Sequence, residues 1–187
     1  MKKETTGAKP AAETAEEKKK RMIKAVRSLL IRLAVLAIIV YVLLFHIVGI
    51  TKMPNGDMYP RISAGDMLLY YRLERSFKAQ DVVVFDKTEG DETRQLVCRV
   101  LACPGDVVDI TDEKGFTVNG NAQVETNVFY PTRAYAGHEE YPITLGDDEY
   151  FVMADYRNGG ADSRYFGPVK KSEIKGVVIT VMRRNGI

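Results

Sequence analysis

The pattern of hydrophobic positions along the chain changes near residue 50. Before that point, apolar residues run from Leu33 to Ile50 without a charged residue among them. This run approaches the roughly 20 residues that a helix needs to cross the hydrocarbon core of a bilayer, and the preceding apolar residues complete that length. The pattern therefore predicts a transmembrane helix over residues 29–50.

Two other interpretations of this apolar run are disfavoured. A cleavable signal peptide also follows a basic stretch, but its apolar region is shorter and ends at a small-residue cleavage site that does not occur here. A helix in the core of a soluble domain is disfavoured because the run is apolar on every face.

Charge is distributed unevenly around the predicted helix. Residues 1–32 carry ten Lys and Arg against four Glu, whereas residues 51–187 carry seventeen Lys and Arg against twenty-one Asp and Glu. Basic residues mark the cytoplasmic side of a membrane helix. Residues 1–28 are therefore expected to be a cytoplasmic, disordered basic segment, and residues 51–187 an extracytoplasmic domain. We expect the basic segment to bind the anionic lipids of the bilayer, and we expect no nucleic-acid partner.

Beyond residue 50 the hydrophobic residues fall in short β-branched and aromatic runs separated by Gly, Pro, Asn and Asp, which is typical of a β domain. Asn119-Gly120 is typical of a type I′ hairpin turn, and Lys87–Arg94 of a polar hairpin loop. Residues 106–145 are expected to form a smaller β insertion with a Tyr-rich loop that covers it. The predicted strands are Met67–Leu73, Asp81–Lys87, Arg94–Ala102, Asp106–Ile110, Phe116–Gly120, Glu149–Asp155 and Lys175–Arg184.

Two cysteines lie in the domain expected outside the cytoplasm, where disulfides persist. Cys98 and Cys103 are five residues apart. On a strand this separation exceeds the Cα distance of about 4.4 to 6.8 Å that a disulfide requires, so we expect free thiols. The sequence shows no zinc or haem spacing, and we predict no metal and no cofactor.

Three motifs follow the predicted membrane helix: GDMYPRISAGD (56–66), CRVLACPGDVV (98–108) and YFVMADYRNGGADSRYFGPV (150–169). Their order and spacing resemble the type I signal peptidases of the S26 family, which are membrane-anchored serine proteases. The family patterns are S-M-x-P-T-L-x-x-G-D, K-R-V-x-G-x-P-G-D and G-D-N-R-x-x-S-x-D-S-R-x-x-G. The resemblance implies a mainly β, antiparallel signal-peptidase-type ectodomain with one N-terminal transmembrane helix.

The resemblance also assigns catalytic roles to positions whose residues differ from those of the family. The nucleophilic serine corresponds to Asp57, and the general-base lysine to Cys98. The serine that orients this lysine corresponds to Gly160, and the oxyanion donor to Asn55. Because a Ser–Lys protease needs a neutral lysine to take the proton of the serine hydroxyl, the dyad is replaced at both positions.

Neither replacement suits amide cleavage. An attack by Asp57 would form an anhydride, which is uphill from an unactivated peptide bond. Cys98, with a reference pKa of about 8.5, would be only a few per cent thiolate at neutral pH. An aspartic-protease pairing of Asp57 with Asp155 or Asp162 is disfavoured, because Asp162 is expected to form an ion pair with Arg164.

The residues that maintain the family's shape are kept, and the resemblance implies a cleft that binds an extended peptide by strand pairing. The expected scaffold residues are Arg99, Asp155, Asp162, Ser163 and Arg164. The expected cleft residues are Asn55, Asp57, Met58, Tyr59, Pro60 and Cys98.

The sequence therefore favours a membrane-anchored, non-cleaving accessory or chaperone factor that binds an extended segment of a secreted protein. Inactive signal-peptidase-like proteins of this kind are associated with pilus assembly in Gram-positive bacteria, which makes a pilin segment the expected partner. The first alternative is an active signal peptidase that uses atypical residues. The second is a structural membrane component that acts through the Tyr-rich loop. The sequence predicts no oligomeric state.

Overall fold

The computed structural model describes residues 15–124 and 128–183. The chain divides into a helical unit that ends at Leu43 and a second unit that begins at Leu44. The second unit is built mostly of antiparallel β-strands, and the first contributes one apolar helix. The predicted fold class, a mainly antiparallel β protein with one N-terminal apolar helix, is confirmed.

The N-terminal helix α1 spans Ala15–Val42, and a π-helical turn follows at Leu43–Ile47. No residue of α1 is buried, and the helix is long and apolar enough to cross a membrane. Two predicted bounds are wrong. Residues 15–28 are helical, because they are rich in the good helix formers Ala, Glu, Lys and Arg, and the remainder of the predicted disordered segment lies outside the described residues. Residues 48–50 form a strand, because their backbone groups pair in a sheet.

The β unit contains two sheets. The first has seven strands in the order β1-β2-β11-β3-β4-β9-β10, and the second has four in the order β7-β6-β5-β8, with antiparallel pairings throughout. A short helix, α2 (Ser163–Phe166), lies between β9 and β10. The strands are β1 Val48–Lys52, β2 Met67–Tyr71, β3 Val82–Glu89, β4 Glu92–Ala102, β5 Val107–Thr111, β6 Gly115–Val118, β7 Asn121–Ala122, β8 Ile143–Thr144, β9 Glu149–Met153, β10 Val169–Lys170 and β11 Ile174–Met182.

All seven predicted strands are present, and the bounds that fall on described residues agree within two residues. The predicted end of the last strand, Arg184, lies outside the described residues. Asn119 and Gly120 both have positive φ, 52° and 77°, as a type I′ turn requires. The predicted loop Lys87–Arg94 is wrong, because its residues extend β3 and β4 towards a tight turn. Cross-strand polar pairs stabilise this extension, including a hydrogen bond of 2.9 Å between the hydroxyls of Thr88 and Thr93.

The central strands β4 and β9 carry the core. On one face, Phe85, Val100 and Val152 belong to one buried cluster. Residues on the other face, among them Phe151, pack against the second sheet, where Phe116 stacks at 6.3 Å between ring centroids. Because both faces of these strands are buried, the side chains at and just beyond their ends are held in place.

Two buried ion pairs follow from this arrangement. Arg99 on β4 donates to both carboxylate oxygens of Asp155, at 2.8 and 2.6 Å. The expected pair of Asp162 and Arg164 is also present, at 2.7 Å, and both side chains are completely buried. The guanidinium of Arg164 lies 4.4 Å from the ring centroid of Tyr135, which covers it.

Replacement of Arg164 tests how far the fold depends on its buried pair. We expect Arg164→Ala to lower the free energy of unfolding by about 3–5 kcal/mol, because it leaves the Asp162 carboxylate buried without a cation. The measurement is denaturant unfolding of the detergent-solubilised protein, followed by the near-UV circular dichroism of its tyrosines, since the chain has no tryptophan.

Arg94→Ala is the matched control for this experiment. Arg94 pairs with Glu89 at 2.7 Å on the surface, so its loss should change the free energy of unfolding by less than about 1 kcal/mol. Equal effects of the two replacements would contradict the structural importance of the buried pair.

Candidate functional site

The turn after β1 brings two predicted site residues together. Asn55 Nδ2 donates to Asp57 Oδ2 at 2.7 Å, and the backbone N–H of Asp57 donates to Asn55 Oδ1 at 3.2 Å. The backbone oxygen of Asp57 accepts a hydrogen bond of 2.8 Å from the N–H of Tyr156. This hydrogen bond connects the first motif (56–66) to the third motif (150–169).

Gly160 lies against Asp57 in a conformation that side chains rarely adopt. Its φ is +98°, and a Cβ at this position would lie 3.1 Å from Asp57 Cγ and 2.9 Å from the Cβ of Ala154. Ala154 is completely buried just after β9 and has no flexible atoms that could move aside. Both the backbone conformation and the available space therefore select glycine at position 160.

Cys98 is buried behind this turn. Its side chain is 1% exposed, and its Sγ donates to the backbone oxygen of Ala161 at 3.8 Å. Burial raises the pKa of the Cys98 thiol well above its ordinary value, and the carboxylates of Asp162, Asp57 and Asp155 raise it further. Cys98 therefore keeps its proton at neutral pH.

Asp57 is partly buried, and burial raises the pKa of its carboxyl group above the ordinary value. Hydrogen bonds from the Asn55 amide and the Ala161 N–H oppose this effect, and the charge of Asp162 adds to it. Within residues 15–124 and 128–183, no cationic side chain forms an ion pair with Asp57. Asp57 is thus a carboxylate with hydrogen-bond donors but without a countercharge.

The other two carboxylates of this region are already neutralised. Asp155 is bound by Arg99 and Asp162 by Arg164, so neither is placed to share a proton with Asp57 as in an aspartic protease. In the described part of the chain, no group of three or more His, Cys, Asp or Glu side chains is placed to hold a metal ion.

A groove opens beside Asp57. Its larger cavity has a volume of about 670 Å³, and a neighbouring cavity of about 330 Å³ shares Tyr59 and Tyr156 with it. The two cavities are adjacent, with tyrosines between them, and are together called the groove. The larger cavity is lined by Gly56, Asp57, Tyr59, Ser63, Ala64, Tyr156, Gly159 and Gly160, and the smaller by Tyr59, Phe129, Tyr130, Asp155 and Tyr156.

Some residues expected to line the cleft do not reach it. Met58 is 0% exposed and packs in a buried cluster with Met53 and Ile62, so the expectation that it contacts a peptide is wrong. Cys98 is likewise too deeply buried to contact a peptide. Asp57 and Tyr59 do line the groove. Asn55 supports it through Asp57, and Pro60 is only partly buried and lies outside the cavity lining.

The sequence interpretation included Tyr59 but missed Tyr130 and Tyr156 of the groove. Tyr130, in the connection between β7 and β8, packs edge-to-face on Tyr156 with 5.4 Å between ring centroids. In the same connection, the Tyr135 hydroxyl donates to the backbone oxygen of Gly160 at 3.4 Å. The Tyr-rich connection thus packs against the groove and does not only cover the smaller sheet, whose core it meets at Tyr141. One feature of the sequence could have indicated this: Tyr156 stands where the family pattern G-D-N-R has asparagine.

Comparison with known proteins identifies relatives. The family described as signal peptidase, peptidase S26, matches residues 22–182. Signal peptidase I V of Bacillus subtilis (strain 168) is 29% identical over 140 residues, which cover 68% of this chain and 81% of the relative. Probable signal peptidase I-2 of Synechocystis sp. is 29% identical over 131 residues, which cover 66% of this chain and 57% of the relative.

Two further matches are partial. The plasmid transfer protein TraF of Escherichia coli is 39% identical over 88 residues, which cover 46% of this chain and 47% of the relative. A crystal structure of a signal peptidase I from Enterococcus faecalis V583 matches with a TM-score of 0.44 and 22% identity, and covers 56% of this chain and 97% of that chain. The chain spans between about half and four fifths of the curated relatives described here.

The buried thiol makes a prediction about chemical labelling. In the native protein we expect Cys98 to react with N-ethylmaleimide at least about tenfold more slowly than Cys103, because reaction requires both access and thiolate. Cys103 is only partly buried, although burial and Asp106 raise its pKa as well. Mass spectrometry of the single variants Cys98→Ala and Cys103→Ala gives each rate. Rapid labelling of Cys98 in the folded protein would contradict its assignment as a closed, protonated thiol.

Proposed function

The chain belongs to the signal peptidase family, peptidase S26, and on that basis we propose that it binds an extended segment of a secreted protein without cleaving it. Its role is that of an accessory or chaperone factor anchored in the cell membrane by α1. We further propose that the basic N-terminal segment faces the cytoplasm and that the process served is Gram-positive pilus assembly, with a pilin segment as the partner. The observation that carries the non-cleaving part of the proposal is the burial of Cys98, whose side chain is 1% exposed at the position of the general base.

A peptidase of this type needs a group that takes the proton of its nucleophile. The resemblance gives that role to the position of Cys98. The pKa of this thiol is raised by burial and by the charges of three nearby carboxylates. The thiol therefore stays protonated and cannot act as a base. The position can therefore supply neither a base nor a thiolate nucleophile.

The position of the nucleophile is equally unsuited to acyl transfer. A carboxylate that attacks a peptide carbonyl must expel an amine to form an anhydride, and the position of Cys98 supplies no acid or base to assist. Asn55, at the position of the oxyanion donor, instead directs its amide to the Asp57 carboxylate. The negative charge of Asp57 would also repel a developing oxyanion.

Peptide binding makes fewer demands than cleavage, because it needs an accessible groove and a stable shape but no nucleophile. Here the buried pairs Arg99–Asp155 and Asp162–Arg164 hold the groove walls in place. Tyr59 and Phe129 are largely exposed, at 57% and 75%, and offer apolar surface to a bound segment.

The proposal is tested by incubating the detergent-solubilised protein with a secretory preprotein. We expect the preprotein to remain intact while an active signal peptidase cleaves it under the same conditions. Cleavage after a small-x-small sequence that Asp57→Ala abolishes would instead establish the alternative, an active signal peptidase with atypical residues.

A second experiment asks whether the family's dyad can be restored. We expect Asp57→Ser combined with Cys98→Lys to give no turnover of the preprotein, because no hydroxyl at position 160 orients the new lysine. Robust turnover by the double variant would show that the residues around the dyad still support catalysis.

Adding Gly160→Ser should not rescue this variant. The new Cβ would lie too close to Ala154, and the backbone φ of +98° at position 160 is unfavourable for any residue with a side chain. The free energy of unfolding should therefore fall by more than in Gly120→Ser. At Gly120, φ is +77° but the space is open, so that control isolates the backbone effect of about 1–2 kcal/mol. Adding Ala154→Gly should recover part of the loss at position 160.

A further inference from the structure

We propose that the groove beside Asp57 receives the ammonium group of a lysine side chain of the bound segment. This inference rests on the proposed function, because it names the residue that a peptide-binding groove selects. It concerns side-chain recognition and requires no bond to be made or broken.

The first step is the balance of charge around the groove. Asp155, which lines the smaller cavity, and Asp162, which lies behind the larger one, are each neutralised by an arginine. Asp57 lines the larger cavity and has no ion-pair partner in the described ranges 15–124 and 128–183. The groove therefore presents one negative charge that a ligand can neutralise.

The second step is the position of the aromatic rings. Gly159 and Gly160 are consecutive and lie between Tyr156 and Asp57. A Cβ at Gly159 would lie 3.4 Å from the Tyr156 ring, and one at Gly160 would lie 3.1 Å from Asp57 Cγ. Asp57, Tyr59 and Tyr156 line the same cavity as these glycines, so a side chain in that cavity meets aromatic rings and a carboxylate together. A lysine fits both, because its methylene stem packs on the ring while its ammonium reaches the carboxylate.

The third step distinguishes lysine from arginine. Asp57 Oδ2 already accepts a hydrogen bond from the Asn55 amide at 2.7 Å, and the Ala161 N–H lies close enough to stabilise the carboxylate. A guanidinium binds best when it forms two parallel hydrogen bonds to both oxygens of a free carboxylate edge. An ammonium is a compact charge that needs a single oxygen, so the existing donors disfavour arginine more than lysine.

The volume of the larger cavity, about 670 Å³, exceeds that of one side chain. It leaves room for the backbone of an extended segment as well as for the lysine. Glutamate at the same position would be repelled by Asp57. Norleucine would keep the contact with the rings but lose the charge.

The experiment uses fluorescent nonapeptides of the form Gly-Ser-Ala-Val-X-Val-Ala-Ser-Gly, where X is lysine, arginine, norleucine or glutamate. Binding to the full-length protein in neutral detergent is measured by fluorescence polarisation. We expect the lysine peptide to bind about tenfold more tightly than the norleucine peptide, with arginine between them and glutamate weakest. In Asp57→Asn the lysine and norleucine peptides should bind equally.

Asp91→Asn is the matched control, because Asp91 is an exposed carboxylate in the turn between β3 and β4. It should retain the full preference for lysine. A carbodiimide gives an independent readout, since it joins a carboxylate to an amine in contact with it. Mass spectrometry should locate an amide bond between the peptide lysine and Asp57.

The outcomes separate this inference from the function on which it rests. If the peptides bind but lysine has no advantage over norleucine, or if its advantage survives Asp57→Asn, the lysine site is wrong and the peptide-binding function stands. If none of the four peptides binds, the peptide-binding function is wrong and the lysine site falls with it.

Discussion

The buried pair of Asp162 and Arg164 is the interaction on which the rest of the site depends. Asp162 accepts from the N–H of Ala154 at 3.1 Å and caps α2 through the N–H of Arg164 at 3.0 Å. Arg164 donates to the backbone oxygens of Arg157 and Arg133, at 2.9 and 3.3 Å. The pair thereby closes the third motif into a loop and anchors the Tyr-rich connection beside it. The negative charge of Asp162 also helps to keep Cys98 protonated, so the element that shapes the site also limits its chemistry.

The residues that hold the shape of the site are distinct from those at the catalytic positions of the family pattern. The buried charges that hold the loop are complete, whereas Asp57, Cys98 and Gly160 differ from the residues of the family pattern. Ala154 and Gly160 show why one replacement does not act alone. The Cβ of Ala154 occupies the space that a Cβ at position 160 would need, so each residue restricts what the other position accepts. A packing constraint of this kind disfavours a side chain at position 160 while Ala154 is present.

The sequence was most informative where local pattern and burial agree. The second half of β4 and most of β9 are rich in apolar residues and are buried on both faces. β1 was not predicted because Val48–Ile50 continue the apolar run of the helix, and the pairing of β1 with β2 is not visible in local sequence. Met58 and Tyr59 are adjacent in a motif, yet one is completely buried and the other is 57% exposed. The placement of Tyr130 on Tyr156 depends on how a long connection returns across the fold, which local pattern does not encode.

Asp57 combines these effects at one position. The family pattern has a neutral serine hydroxyl at this position, so a carboxylate here adds a charge. In water that charge would be well solvated, but beside aromatic walls its solvation is reduced and its attraction for a cation is stronger. The donors of Asn55 and Ala161 stabilise it only in part, since burial still raises its pKa. The carboxylate at position 57 therefore gives a basis for selecting ligands by charge, because Asp155 and Asp162 are already neutralised by arginines.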